Sequence, residues 1–370
     1  MSAFLAVRFA ATFLAATAPL AAQDTVSGGN GTLYLAARPG RILIVDEATF
    51  RVTGEIPLAK SRPGMSYPLQ LSQDRKRLLS YGLNLEDIEI VDIATRRVVD
   101  TLTLSEGNNK VRLDCYDSCG EHGTRLAFGT RPAKKLVDRF EIGPRALVEY
   151  DLEKKRVGRT IPWPKGEEQE RTGLLYSPDG KLLYVLAAED VFVYDTATLS
   201  VVDKWELSRP VEDGFGRLEV AATTDINDQP GFFTGIFEVD DPVQHRRIMG
   251  IARFDLAGKK VDFWTVGPAK PLRQFALAPG RKKAYSILDE INNWELWTFD
   301  LEGRRLEKRT PMTATGRPRM SLAVSSNGKI LYIFGAGNTI DLYDAQTHRF
   351  LRTVTLDAEV GWMFVLPSGP

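Results

Sequence analysis

Apolar and polar positions alternate in short bursts along most of this chain, at the period of β-strands rather than helices. The clearest stretch is Gly173–Leu207, GLLYSPDGKLLYVLAAEDVFVYDTATLSVVDKWEL. It divides into four runs: GLLY, LLYVLAA, VFVYD and VVDKWEL. Between them lie turn signals at Ser177-Pro178-Asp179-Gly180, Glu189-Asp190 and Thr196-Ala197-Thr198. Four such runs joined by tight turns predict one twisted antiparallel sheet. A second copy runs from Ser321 to Leu356, SLAVSSNGKILYIFGAGNTIDLYDAQTHRFLRTVTL.

The third run of each copy ends in an aromatic or apolar residue followed by Asp. The same signature ends at Asp46, Asp92, Asp151, Asp195, Asp255, Asp300 and Asp344, at intervals of 46, 59, 44, 60, 45 and 44 residues. Seven units of this length predict an all-β fold, a seven-bladed β-propeller of four-stranded antiparallel blades. An Asp recurring at the same turn reads as a turn former, its carboxylate accepting from the amides just ahead. The first unit, GTLYLAA, ILIVD and RVTGEIPL from Gly31, has no first strand before it. The terminal WMFVLPSG, residues 362–369, follows a complete seventh unit. It is expected to join blade 1 as its innermost strand and so close the ring.

SPDGKLLYV at 177–185, followed by VFVYDTATLSVV at 191–202, resembles the YVTN-type repeat of exported bacterial propellers. The resemblance extends over essentially the whole chain after residue 22. It includes the propeller subunits of periplasmic amine dehydrogenases and, more distantly, propeller lactonases. Fold is what it implies most directly, since propellers host many unrelated activities.

The first 22 residues break the pattern. Arg8 precedes an apolar run from Phe9 to Leu14, and Pro19 leads to the small residues Ala21 and Ala22 before Gln23-Asp24. This is the layout of a secretory signal peptide cleaved after Ala22, which leaves 23–370 as a single propeller domain in the periplasm or outside the cell. The run is too short to span a bilayer, so no integral membrane segment is expected in the mature chain. Lys plus Arg and Asp plus Glu both total 48, a balance that gives no general attraction to nucleic acid.

Motifs for chemistry are sparse. There is no phosphate-binding P-loop, no G-x-S-x-G and no C-x-x-C-H, and the expected cofactor complement is none. Of three histidines, His122, His245 and His348, the last falls in a turn of blade 7 and reads as solvated. The two cysteines, Cys115 and Cys119, read as a local disulfide at the turn between strands one and two of blade 3. Metal binding by both with His122 fits zinc spacing poorly, so no metal site is expected. Asp225–Gly231, DINDQPG, lacks the closing Glu of a calcium loop and reads as a polar loop.

The two longer intervals locate insertions. They are expected between strands two and three, at Thr130–Pro144 in blade 3 and Thr224–Arg247 in blade 5. With strand one innermost, the 2–3 and 4–1 connections emerge on one face of the disc. On that face a basic residue precedes or opens several innermost strands: Arg112, Arg171, Arg217, Arg273 and Arg319. These arginines are the candidate binding residues, ringing the channel mouth toward a partner protein or small anionic ligand. Glu168, Glu170, Glu212 and Asp213 in the same loops offer local ion pairs instead. The leading expectation is an exported, non-catalytic binding scaffold. The alternatives are a subunit of an amine-dehydrogenase-like redox complex, as the resemblance implies, and a propeller lactonase or hydrolase with carboxylates at the channel mouth.

Overall fold

The computed structural model describes residues 27–61, 69–82, 84–114, 119–169, 172–187, 190–207, 214–223 (only the backbone over 219–223), 229–290, 293–312, 320–335 and 337–368. Seven antiparallel sheets follow one another around the ring, and in blades 2, 4, 5, 6 and 7 the four strands run in sequence from the inside outward. Blade 4 shows the plan: Thr172–Tyr176, Leu182–Ala187, Asp190–Asp195 and Val201–Glu206. Seven apolar clusters fill the seven gaps between neighbouring blades, including the gap between blades 7 and 1. The second and third strands of each blade are therefore buried on both faces, which is why their middle residues read as continuous apolar runs, while the outermost strands alternate with solvent.

Closure is by the terminal strand. Val360–Leu366 pairs antiparallel with Thr32–Ala37, with Leu33 opposite Val365 and Leu35 opposite Met363. A second tie joins blades 1 and 7. The buried Glu47 carboxylate accepts hydrogen bonds from Gly31 N at 2.8 Å, Ser326 N at 2.8 Å and Tyr332 Oη at 2.9 Å.

All seven signature aspartates form turns, as expected. Each accepts from the amide three residues ahead, at 2.6–2.9 Å: Thr49, Thr95, Lys154, Thr198, Gly258, Gly303 and Thr347. The residue after that amide is left-handed every time: Phe50, Arg96, Lys155, Leu199, Lys259, Arg304 and His348, with φ between 51° and 61°. The strand pair beyond each turn carries a register shift. This is a type I turn closed by a bulge, the geometry that lets a short loop follow the strands' twist.

Three expectations need correction. Blade 5 has no inserted loop between strands two and three. Phe232–Asp241 is strand two itself and Arg246–Asp255 strand three, joined by a short turn. The extra length goes into longer strands, into the connection between strands one and two, and into the approach from blade 4. The cysteine segment is not the turn between strands one and two of blade 3. Asn109–Asp114 and Gly120–His122 both pair with Arg125–Lys135, Asp114 opposite Gly129 and Gly120 opposite Ala127. The innermost strand is thus interrupted between Asp114 and Gly120, which face positions only two apart on the second strand. His348 is buried, not solvated. It lies between blades 6 and 7, with Thr298 Oγ1 2.7 Å from Nε2 and Thr310 Oγ1 2.8 Å from Nδ1.

Candidate interaction face

One face of the disc carries the 2–3 and 4–1 connections, and there blade 3 departs furthest from the common plan. Its second strand, Arg125–Lys135, runs past the sheet, turns, and returns as Phe140–Ile142. The far end of the innermost strand, Asn109–Leu113, pairs along its other side. The result is a three-stranded flap, two of whose strands are formed by the predicted insertion Thr130–Pro144.

The flap's base is braced. Arg145 is buried and ion-pairs with Asp114, while its Nη1 donates to Gln169 O at 2.6 Å. Trp163 Nε1 donates to Arg145 O at 3.2 Å, and the Arg145 amide donates to Glu168 Oε2 at 3.0 Å. Glu168 also holds Arg131 at 2.7 Å. A buried guanidinium surrounded by acceptors fixes the angle at which the flap leaves the ring.

The tip is different. Val137 is fully exposed, Phe140 is 59% exposed and Ile142 66%. Among the described residues these three form the exposed large apolar group that lies outside the ring's own strands. The other exposed large hydrophobics are valines and a phenylalanine on outer strands and one turn valine, Val243. A local cluster of this kind, rimmed by charge, is a surface feature that monomeric folding does not require.

The predicted arginines fare unequally. Arg112 lies on the flap, exposed, directly opposite Arg131. Arg273 opens the innermost strand of blade 6, on the expected face, but ion-pairs with Asp289 at 3.3 Å. Arg217 precedes the innermost strand of blade 5, exposed. Arg171, Arg319 and Asp225–Asp228 lie outside the described residues. Elsewhere on this face local pairs recur: Lys270 with Glu290, Arg247 with Glu238 and Asp240, and Lys204 with the buried Asp190. Such pairs neutralise much of the field that a ring of arginines would otherwise project.

Cys119 is fully buried and is not a free thiol; Cys115 lies outside the described residues. Gln70 of blade 2 serves the interrupted strand as a ladder partner. Its Nε2 donates to Cys119 O at 2.8 Å, and its Oε1 accepts from Cys119 N at 3.3 Å and from Tyr81 Oη at 2.9 Å. Nothing in the sequence pattern pointed to Gln70, because its partner lies in another blade. Among the described residues no three of His, Cys, Asp and Glu gather as a metal would require.

Comparison with known proteins gives the fold. No protein-family model matches the chain, and no curated protein matches it by sequence. Solved structures of similar shape include apo AztD from Citrobacter koseri, at TM-score 0.52 and 11% identity over 91% of this chain and 98% of that one. Another is the dihydro-heme d1 dehydrogenase NirN in complex with DHE, at TM-score 0.51 and 13% identity over 91% of this chain and 75% of that one. At such identities the likeness is one of architecture alone.

Proposed function

We propose that this protein is an exported, non-catalytic propeller scaffold that engages a partner protein or anionic ligand through its flap-bearing face. The observation that carries this reading is the contrast within blade 3, between a base locked by buried charge and a tip of exposed apolar side chains. A rigid platform presenting a projecting loop is how repeat folds commonly place binding residues. The resemblance to YVTN-type repeats and to amine-dehydrogenase propeller subunits supports a scaffold role in the same compartment.

The test is recovery of partners from native-host extract by the mature chain, analysed by mass spectrometry. Replacing residues 133–142 with a two-residue turn should abolish recovery. Lys181→Glu with Lys329→Glu, on the opposite face, should leave it intact. The reverse pattern would mean that the wrong side of the disc has been chosen. Amino-terminal sequencing of protein from the native host should begin at Gln23; an intact Met1 would refute export by this route.

A further inference from the structure

The flap's outer strand is an open sheet edge with a defined chemistry. Leu136 N donates to Arg139 O at 2.8 Å, and Gly143 N donates to Pro132 O at 2.9 Å. Inward-bonding residues alternate along an antiparallel ladder, so 139, 141 and 143 bond inward. Phe140 and Ile142 therefore turn their N–H and C=O groups outward, away from the flap. Residues directly opposed across a ladder also share a face. Ile142 is opposite Ala133, Phe140 opposite Lys135, Ala133 opposite Lys110, and Arg131 opposite Arg112. One face of the flap thus combines Phe140 and Ile142 with Lys110, Arg112, Arg131 and Lys135.

Two of these cations are matched, Lys110 by Glu86 at 3.3 Å and Arg131 by Glu168 at 2.7 Å. Arg112 and Lys135, both exposed, have no ion pair among the described residues. The opposite face is spoken for near its base, where Leu113 and Val111 pack between blades 2 and 3. The geometry points to a docking site for an extended acidic segment of a partner protein, added as a strand along Phe140–Ile142. This rests on the reading of the face given above and names the partner's chemistry. Main-chain hydrogen bonds to the outward groups would give affinity. Every second side chain of the added strand would lie over this face, where acidic ones would pack their stems beside Phe140 and Ile142 and reach across the flap toward Lys135 and Arg112. A second copy of this chain is the poorer occupant. Antiparallel joining of two identical edges sets the two basic faces side by side, like charge beside like.

The test uses fluorescein-labelled heptapeptides and the mature chain, read by anisotropy. One peptide alternates Glu and Val, a second alternates Lys and Val, and a third alternates Glu and Pro, acidic but unable to extend a ladder. The Glu/Val peptide should bind, more weakly as salt rises, and the other two should not. Ile142→Pro removes an outward N–H without touching an inward one. It should weaken binding by about tenfold or more with the melting temperature unchanged. Arg112→Glu with Lys135→Glu alters no backbone group, and should transfer preference to the Lys/Val peptide; this pair decides the matter if the proline variant melts lower. Equal binding of the Glu/Val and Glu/Pro peptides, full affinity in both variants, or no binding by the mature chain would overturn the proposal. In the extract experiment, a partner captured equally by the mature chain and by Ile142→Pro would leave the face reading standing and remove strand addition.

Discussion

Glu121, at the joint of blades 2 and 3, is folded into surroundings that favour its neutral form. Burial pushes its carboxyl from 4.5 up to about 7, against the attraction of Arg77 and with a small further push from Asp74. Arg77 Nη2 lies 2.8 Å from Oε1, yet no donor is aligned on either oxygen as a hydrogen bond. Attraction without a proper hydrogen bond does not repay the desolvation of a buried charge. Because the folded value lies above the unfolded one, the stabilisation is complete below about 4.5 and is lost as pH rises through about 7. The loss amounts to about 3 kcal/mol at most. Glu121→Gln should flatten the fall in denaturant midpoint between pH 5 and pH 8, and an unchanged fall would assign that titration elsewhere. His348 has the opposite sign. Burial, helped by Lys308, lowers it from 6.5 to about 4, so its contribution is complete above 6.5 and is lost as pH falls toward 4. His348→Gln should soften the acid limb alone, which separates the two groups in the same set of melts.

At the scale of the element, the seven turns combine one legible residue with one that is not. The Asp is legible because a short side-chain acceptor caps the amide three residues on, and the same acceptor recurs at all seven turns. The left-handed position four residues on is occupied by Phe, Arg, Lys, Leu or His, never Gly, so nothing in its chemistry marks it. Arg96 is such a residue, exposed, at φ 57° and without an ion pair among the described residues. Arg96→Gly should raise stability by up to about 1 kcal/mol, the relief of a left-handed side chain less the added freedom of the unfolded chain. A lower denaturant midpoint would show that the Arg96 side chain contributes more than its backbone costs. Insertions were legible in length but not in place. The interval between markers is the same whether extra residues form a loop or lengthen two strands. The Gly231-Phe232-Phe233 run of blade 5 opens a strand that the count alone assigned to a loop. In blade 3 the interruption of the inner strand was hidden for a related reason. Its repair comes from Gln70, a residue 49 positions away from Cys119. We propose that Cys115 and Cys119 are paired across this interruption. Non-reducing peptide mapping should recover them as one linked fragment, and two free thiols would refute it. Reduction of so short a loop should cost only about 2 kcal/mol.

For the whole molecule, the decisive element is the terminal strand, because it serves two blade interfaces at once. Met363 and Val365 pack into the cluster between blades 7 and 1, while Trp362, Phe364 and Leu366 pack against the cluster between blades 1 and 2. This alternation is the strand's period of two applied at a seam, and it was readable once the orphan run was set beside the unit that lacked a first strand. Removing residues 357–370 would strip both clusters and bare the edge of Thr32–Ala37. The remaining tie between blades 7 and 1, centred on Glu47, involves a few hydrogen bonds near one end of the blades. It cannot replace an apolar strand, whose side chains each contribute about 1.5–3 kcal/mol when buried. The truncated chain should therefore melt lower, lose cooperativity and aggregate through its open edge. A permutant separates loss of the strand from loss of chain length. The Ser368 hydroxyl donates to Asn30 O, so the end of the strand already sits beside the start of blade 1. Residues 357–368 joined directly to residue 30, in a chain ending at Leu356, should recover the original melting temperature, since closure depends on the strand being present and not on which end supplies it. A truncated chain that melts like the original, or a permutant no better than the truncation, would show that the ring is held chiefly by its other interfaces.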